Sequence, residues 1–357
     1  MTVLTYNSTQ ADPEARGRAL GEAFAGGVGG AWLRYEQIFA AGGVDAARAH
    51  DLGESALRAL EDWAPELAAE LRGVAVGAGV PAWRVAAVNA RTEIMARVRT
   101  KTPGECSTAV VLPPDGSPPR TIQTWDWLQS LRDAKLLWRV ELASGRVVKT
   151  FTELGVLGKI GVNDAGLGVH FNFLQHHDDG LGEGTGVPVH LVARRILDEA
   201  ATLDEATAIA ASAPVTASTA LTVVTRDGAR TLELSPAGVG IVEPDEDGVL
   251  LHTSHFLDGE LAAGERLAPD DPDTIARYEE LDRRRTALSA PTAAARAEAL
   301  VLHREDGAAL CCHPELGAAL ADEWETLLTI SLSVTDATLT YIDGAPCQAT
   351  AVGWSTF

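Results

Sequence analysis

The amino-acid sequence predicts an α+β fold in which layers of helices pack on mostly antiparallel sheets. Apolar residues in the first hundred positions recur at the three-to-four spacing of helices. From residue 106 the pattern changes to short runs rich in β-branched and aromatic residues. Hairpin turns rather than helices separate most of these runs, which favours antiparallel pairing and a layered sandwich over a βαβ winding.

The N-terminal part is predicted to be helical throughout. Asp12 is suited to cap a first helix that has Pro13 in its opening turn. A second helix is predicted over about 45–71, where the apolar residues fall on one face. Glycine-rich patches at 26–30 and 42–43 are interpreted as breaks between helices.

Strands are predicted to follow in the order of the chain. The first four are expected in the runs CSTAVVL, RTIQTWDWL, LLWRVEL and RVVKTFTEL. A hairpin turning at 163–166 comes next, and then a helix pair over 187–213 whose second member begins with a capping box. Another hairpin, two more strands, a polar helix over 271–288 and a final strand pair complete the prediction.

The charge balance excludes two classes of partner. The 357-residue chain has a formal net charge of −21, which repels phosphate backbones and anionic membranes. No apolar run approaches the ~20 residues of a membrane helix. The N-terminus has neither the basic nor the apolar region of a secretory signal. We therefore expect a cytoplasmic protein that binds neither nucleic acid nor membrane.

The four cysteines do not suggest a disulfide framework or a metal centre. They are Cys106, Cys311, Cys312 and Cys347. No CxxC motif occurs, so the sequence predicts no structural zinc site. The adjacent His176 and His177 would point to opposite faces of an extended chain, which favours a polar loop over joint ligation. The expectation is an enzyme without metal or cofactor.

Cys106 is a candidate nucleophile. It follows Gly104 and precedes small polar residues where helical sequence gives way to strand. A thiol exposed at the end of a sheet suits a nucleophile, provided that a neighbour lowers its pKa or removes its proton. A small buried cysteine fits the same local pattern.

Six short motifs occur in order between residues 89 and 347. They are Asn89–Glu93, Gly104–Ala109, Gln123–Trp127, Gly161–Leu167, His252–Phe256 and Cys312–Pro314. In these motifs the chain resembles the acyl-CoA:6-aminopenicillanate acyltransferase family (peptidase family C45). That family belongs to the N-terminal-nucleophile (Ntn) hydrolases, near the choloylglycine hydrolases. The resemblance implies a four-layer αββα sandwich.

The resemblance also implies a precursor that cuts itself between Glu105 and Cys106. The helical segment 1–105 and the catalytic segment 106–357 would then form one compact unit, an α/β heterodimer made from one chain. The freed α-amino group, with a pKa near ~8, would serve as the general base, so that no histidine is needed. The oligomeric state beyond this heterodimer stays open.

Further site residues follow from the same resemblance. Asp126 is expected to orient the new terminal ammonium, and Asn172 to lie in the region that forms an oxyanion hole. Ser254 stands where the family commonly has an oxyanion-hole asparagine, which is a departure from the family pattern. No arginine occurs in 334–346, where related enzymes can carry one. Contacts to the substrate are expected from Trp125, Trp127 and His255.

The expected activity is cleavage of a non-protein amide bond. The substrate is a small N-acyl compound or amino-acid conjugate, and an acyl-thioester forms on Cys106. One alternative is an N-acyltransferase drawing on acyl-CoA, whose phosphates would need a basic patch such as the pair Arg194 and Arg195. A second is an unprocessed, inactive binding or scaffold protein, which Glu105 and Ser254 would favour. A third is an uncut cysteine hydrolase with a histidine partner.

Overall fold

The computed structural model describes residues 3–98, 106–314 and 323–357. The helices are α1 (Pro13–Ala23), α2 (Ala25–Ala41), α3 (Ala46–Trp63), α4 (Pro65–Ala78), α5 (Ala82–Asn89), α6 (Arg91–Met95), α7 (Val189–Glu199), α8 (Leu203–Ser212), α9 (Leu267–Asp270), α10 (Asp273–Arg283), α11 (Arg285–Leu288), α12 (Ala293–Glu298) and α13 (Ala349–Val352). The strands are β1 (Leu4–Ser8), β2 (Ser107–Val111), β3 (Arg120–Leu128), β4 (Lys135–Glu141), β5 (Val147–Glu153), β6 (Ile160–Asn163), β7 (Leu167–Phe173), β8 (Thr219–Thr225), β9 (Gly228–Ser235), β10 (Gly238–Val242), β11 (Val249–His252), β12 (Trp324–Ser333), β13 (Thr338–Ile342) and β14 (Ser355–Thr356).

The strands form two sheets. The larger sheet has eight strands in the order β1-β4-β5-β6-β7-β8-β9-β10, and the smaller has six in the order β11-β2-β3-β12-β13-β14. Only β1 and β4 run parallel among the strand pairs of the described residues. The prediction of mostly antiparallel sheets is therefore confirmed.

The two sheets face each other and carry helices on their outer sides. Helices α7 and α8 pack on the larger sheet, and α10, α11 and α12 pack on the smaller one. Between the sheets, Nε2 of Gln123 donates to the carbonyl oxygen of Phe171 at 2.6 Å. Nearby, Oγ1 of Thr108 donates to Oδ1 of Asn172, also at 2.6 Å. The arrangement is the four-layer αββα sandwich.

The N-terminal helices are joined closely to one another and to the larger sheet. A Cβ atom on Gly17 of α1 would lie 1.9 Å from the carbonyl oxygen of Glu70 on α4. A Cβ atom on Gly73 would meet the carbonyl oxygen of Glu14 at 2.1 Å. Only glycine allows the two backbones to approach this closely, so these residues fix the α1–α4 contact. Toward the sheet, Nδ2 of Asn89 donates to the carbonyl oxygen of Gly155 at 2.7 Å.

Three expectations for the N-terminal region are wrong. The single helix predicted over about 45–71 is two helices, α3 and α4, because Pro65 begins a new helix after Ala64. The segment expected to be wholly helical begins with β1, whose partner β4 lies about 130 residues away in the chain. A strand of five residues with a distant partner leaves little local signal. The glycine patch at 26–30 lies inside α2 rather than between helices, whereas Gly42 does cap the end of that helix. None of the described helices is both long and apolar enough to cross a bilayer.

Candidate active site

Cys106 lies immediately before β2, at the end of the smaller sheet that faces the N-terminal helices. Its Sγ is 3.8 Å from the backbone carbonyl oxygen of Asp126 on the neighbouring strand β3. Only 6% of the residue is exposed, so the expectation of an exposed thiol is wrong. Arg91 and Trp127 line the same space and help to cover it.

The surroundings of Cys106 hold the thiol in its protonated form. Burial is the main cause that raises the pKa of Cys106 to about 12, and the nearby Asp126 carboxylate raises it further. Lys159 and Arg277 act in the opposite direction because their positive charges favour the thiolate. The thiol therefore needs a base that takes its proton before it can attack a carbonyl.

The backbone carbonyl of Cys106 is held by two side chains. Nδ2 of Asn172 donates to this oxygen at 3.0 Å, and Nη1 of Arg277 donates to it at 3.0 Å. Arg277 also donates to Oγ of Ser107 at 3.0 Å and pairs with Asp273 on its own helix at 2.9 Å. Asn172, predicted to serve the oxyanion hole, thus uses its side-chain donor on the backbone of Cys106, the predicted nucleophile.

Sequence reasoning missed Arg277. The helix that carries it was predicted only as a polar helix over 271–288, but Arg277 is fully buried. Its spacing of four from Asp273 is also common on exposed helix faces, so the local pattern does not mark it. The available signal is weak: Thr274, Arg277 and Leu281 are the buried residues of α10 and lie on one face.

Asp126 is buried beside Cys106, as the motif resemblance predicts. Its Oδ2 accepts a hydrogen bond from Oγ1 of Thr124 at 3.4 Å. Asp126 lies opposite Thr326 of β12, next to a register shift between Thr326 and Leu328. A bulge of this kind turns side chains away from strict alternation. Trp125, Asp126 and Trp127 all contribute to the lining of the cavity at the thiol.

A buried cluster of charges adjoins this cavity, whose lining includes Arg91 and Lys159. Glu153 is ion-paired with Arg91 and, at 2.9 Å, with Lys159, and it accepts a hydrogen bond from Tyr35 at 2.7 Å. Burial alone would raise the pKa of Glu153, but Arg91 and Lys159 hold it below its usual value. Burial lowers the pKa of Lys159 to about 8, against the opposing effect of Glu153.

The cavity at the thiol is small. Its volume of about 20 Å³ holds on the order of one water molecule. Pockets that take drug-sized ligands measure about 300–1,000 Å³. In this state of the chain, a small N-acyl compound has no room beside Cys106.

Two further predicted residues lie near this centre but not in its cavity. Ser254 is fully buried, its N–H donates to Oγ1 of Thr274 at 2.9 Å, and its hydroxyl has no hydrogen-bond partner within the described ranges. His255 contacts Thr253 and Thr274 and packs edge-on against Tyr278. His255 is absent from the described lining of the Cys106 cavity, so the geometry does not support a substrate contact.

Other sequence interpretations are settled by their contacts. His252, at the end of β11, bonds to Glu233 and to the carbonyl oxygen of Thr253. Arg91, which lies in the first of the six motifs, pairs with Glu153. Glu105, on which the predicted cleavage depends, lies outside the described residues.

Comparisons with known proteins identify the family. The family model described as acyl-coenzyme A:6-aminopenicillanic acid acyl-transferase matches residues 114–346. The chain is 29% identical over 230 residues to the acyl-coenzyme A:6-aminopenicillanic-acid-acyltransferase 40 kDa form of Emericella nidulans. This match covers 63% of the chain and 62% of that relative, so it spans less than two thirds of the relative's length.

Two solved structures are also similar. Penicillin V acylase from Agrobacterium tumefaciens has a TM-score of 0.44 and 14% identity, covering 67% of this chain and 83% of its own. A mutant of conjugated bile acid hydrolase from Clostridium perfringens has a TM-score of 0.39 and 10% identity, covering 66% and 88%. The family match includes Asp126, Asn172, Ser254 and Arg277 and begins after Cys106. Since that match extends over well more than half of its length, the chain belongs to the acyl-coenzyme A:6-aminopenicillanic acid acyl-transferase family.

Proposed function

We propose that this protein is a self-processing N-terminal-nucleophile amidase that uses Cys106 to cleave the amide bond of a small N-acyl compound. The observation that carries the proposal is the double support of the Cys106 carbonyl by Asn172 and Arg277, at 3.0 Å each. These two bonds fix the backbone of the residue, while its thiol lies 3.8 Å from the carbonyl oxygen of Asp126. A cysteine held in this way suits a nucleophile whose own amino group is the base.

In the proposed first reaction the thiol attacks the carbonyl carbon of Glu105. The Sγ–C bond forms, the C–N bond to Cys106 breaks, and the thiol proton passes to the departing nitrogen. Water then hydrolyses the thioester, which leaves a carboxylate on Glu105 and a free amino group on Cys106. Asn172 and Arg277 are positioning residues in this step, because they hold the carbonyl on the far side of Cys106.

In the proposed second reaction the free amino group takes the thiol proton. A free α-amino group has a pKa near ~8, so part of it is neutral at pH 7. Asp126, in the same cavity, stabilises the ammonium that results. The thiolate attacks the substrate amide and forms an acyl-thioester, and the amine leaves with the proton. Ser254 lies outside the lining of the present cavity, but its buried hydroxyl has no hydrogen-bond partner among the described residues. It is therefore our candidate donor to the oxyanion, supplying part of the several kcal/mol that such donors contribute.

The contacts of Arg194 and Arg195 favour hydrolysis over transfer of an acyl group from acyl-CoA. Arg194 is fully buried and pairs with Glu70 at 2.9 Å and Asp198 at 2.8 Å. Arg195 pairs with Glu199 and lies over the ring of Trp63. Neither side chain is available to bind the phosphates of CoA. Water is therefore the proposed acceptor of the acyl group.

The competing proposal, an unprocessed binding or scaffold protein, is supported by the closed cavity and the raised pKa of the thiol. The mass of the freshly purified chain under denaturing conditions distinguishes the two, with Cys106→Ala as the control. We expect two fragments that divide between Glu105 and Cys106, and a single intact chain for Cys106→Ala. An intact wild-type chain after long incubation would contradict self-processing. Alkylation of its thiol, followed by an activity assay, would then separate an uncut cysteine hydrolase from a scaffold protein.

The substrate class needs its own test. Processed protein is incubated with a panel of N-acyl amino acids and N-acyl amines. Acid quenching traps any acyl-enzyme, and mass spectrometry then measures the molecular mass of the protein. An acyl group added to the fragment that begins at Cys106 supports the amidase. Product that forms only when both an acyl-CoA and an amine are supplied would support the transferase instead.

A further inference from the structure

Four side chains with metal-binding chemistry converge near the N-terminal end of strand β12 in the smaller sheet, away from the turn that connects β12 to β13. His303, Cys311 and His313 belong to the segment between α12 and β12, and Cys347 belongs to the helical turn Pro346–Gln348 after β13. One ligand atom from each residue lies within 4.8 Å of all the others. Among the described residues, these four form the group of potential metal ligands whose ligand atoms lie this close together.

The spacing of these atoms suits a tetrahedral ion. Nε2 of His313 is 3.3 Å from Sγ of Cys347 and 3.5 Å from Sγ of Cys311. With Zn–S bonds near 2.3 Å and Zn–N bonds near 2.0–2.1 Å, a sulfur and a nitrogen on one tetrahedral zinc ion stand about 3.6 Å apart. These two pairs need shifts of only tenths of an ångström to share the ion, and the remaining pairs, all within 4.8 Å, need shifts of at most about an ångström. The rings of His303 and His313 are already neighbours, with centroids 5.1 Å apart.

We propose that His303, Cys311, His313 and Cys347 form a Cys₂His₂ zinc site. Two thiolates balance the double charge of the ion, and the two imidazoles bind as neutral ligands. Because four protein ligands fill a tetrahedral site, no position remains for water or substrate, and the ion is structural. Asp306, whose carboxylate lies 3.9 Å from Nδ1 of His303, can orient that ring from outside the ligand set.

The sequence pattern did not predict this site. The expectation of no structural zinc rested on the missing CxxC motif, whereas the proposed ligands include a Cys-x-His unit at 311–313 and a cysteine 34 residues further on. Ligands this far apart become visible only when the fold brings the segment after α12 against the turn after β13.

The site would anchor the strand that lies beside Asp126. Between two of the ligands, Cys312 accepts from the N–H of Thr326 at 3.1 Å and donates its own N–H to Oγ1 of Thr326 at 2.9 Å. Thr326 is the residue of β12 that lies opposite Asp126 of β3. An ion that fixes Cys311 and His313 thus also fixes the backbone against which the active-site strand packs.

The main rival is a disulfide between Cys311 and Cys347, both free thiols in the structure. A disulfide would use two of the four side chains and leave the two histidines without a role. The two possibilities differ in mass and in thiol reactivity. A zinc-bound pair of thiolates takes up two protons when the metal is removed under denaturing conditions and then has the mass of two thiols, whereas a disulfide is two hydrogens lighter.

The test measures the metal content of the full chain, expressed with a tag that contains no histidine and purified without chelator. We expect roughly one zinc per chain by elemental mass spectrometry, and less than about a tenth of that for Cys347→Ser and His313→Gln. Cys312→Ser, which changes a buried thiol in the same loop outside the ligand set, should keep its zinc.

A second measurement does not depend on whether the variants fold. Wild-type protein stripped with a chelator is titrated with Co²⁺, which should give the visible bands of a four-coordinate, thiolate-bound ion and raise the thermal midpoint. Absence of both zinc and the cobalt spectrum would overturn the proposal. A chain with two hydrogens missing and with Cys311 and Cys347 resistant to alkylation would overturn it in favour of the disulfide.

Discussion

Two buried charge clusters in this protein use similar residues in different balances. The first joins α1, α4 and α7, where Glu70 pairs with Arg16 and Arg194, and Arg194 pairs with Asp198. Two guanidiniums there meet two carboxylates. The second cluster lies beside Cys106, where Glu153 alone meets both Arg91 and Lys159.

The balance of charge separates a structural cluster from a candidate functional one. In the Glu70 cluster every cation has a carboxylate partner, and the cluster connects helices. In the Glu153 cluster one carboxylate meets two cations, and one of them, Lys159, lies beside the cavity and counteracts the rise in the pKa of the Cys106 thiol. Buried charge that is left incompletely paired is costly and tends to mark a functional site.

The largest expected effect is the loss of stability in Glu70→Ala. Removing this carboxylate leaves Arg16 and Arg194 buried with too little negative charge, which typically costs about 3–5 kcal/mol of unfolding free energy. Urea unfolding measures the loss, in a Cys106→Ala background that keeps the chain in one piece. Glu66→Ala, at an exposed position of the same helix, should stay within about 0.5 kcal/mol. Equal losses of unfolding free energy in Glu70→Ala and Glu66→Ala would contradict the structural role that distinguishes the Glu70 cluster from the Glu153 cluster.

The next effect concerns Glu93, a buried carboxylate whose Oε1 accepts from the N–H of Val189 at 2.7 Å. Burial raises the pKa of Glu93 from 4.5 to about 7. The folded state therefore binds the proton more tightly than the unfolded state, so this residue's contribution is complete below pH 4.5 and is lost as the pH rises through about 7. Glu93→Gln should be more stable than the parent above that pH, by up to about 3 kcal/mol.

Chemical unfolding at several pH values, in the same uncut background, checks this prediction. The difference between Glu93→Gln and its parent should vanish toward acid pH. Glu66→Gln is the matched control and should show no such dependence. A stability gain for Glu93→Gln that is the same at every pH would contradict the assigned cause.

The smallest effect is on the rate of self-processing in Lys159→Met. The substitution removes the surplus cation but leaves the Arg91–Glu153 pair, so the fold should be retained. Without this charge the pKa of the Cys106 thiol rises further, and a rise of one unit corresponds to about a tenfold loss of thiolate. We expect about tenfold slower appearance of the fragments, with the pH–rate profile displaced to higher pH.

Lys149→Met, on the neighbouring strand β5, is the control for loss of a lysine from this sheet. Its rate and pH profile should match those of the wild type. An undisplaced pH profile in a slow Lys159→Met variant would indicate that Lys159 acts only through packing against Trp125, whose ring centre lies 4.1 Å from its Nζ.

Local signals in the sequence predicted much of the fold. The hairpin of β6 and β7 and the capping box of Thr202 and Glu205 are confirmed, because a turn or a cap is decided by residues within a few positions of one another. The four-layer sandwich and the family followed from motifs in a fixed order. Asp126 and Cys106 were predicted to lie together, and they share one cavity.

Long-range contacts account for what the sequence did not predict. Arg277 reaches Cys106 across 171 positions of the chain, and its own helix shows ordinary alternating charge. The parallel pairing of β1 with β4 and the convergence of Cys347 on His313 are of the same kind. The sequence around each of these positions contains no local signal that identifies the distant partner, because the partner is determined by how the layers pack.

The parallel pairing of β1 with β4 has a consequence for the thermal stability of the protein. The N-terminal segment supplies an edge strand to a sheet whose other strands all come from beyond Cys106. If the chain is cut there, as we propose, unfolding releases two molecules instead of one, and refolding requires them to associate again. The cut protein should then withstand heat better at higher concentration, whereas the uncut Cys106→Ala chain should not. The proposed maturation would thereby make the stability of the fold depend on the protein concentration.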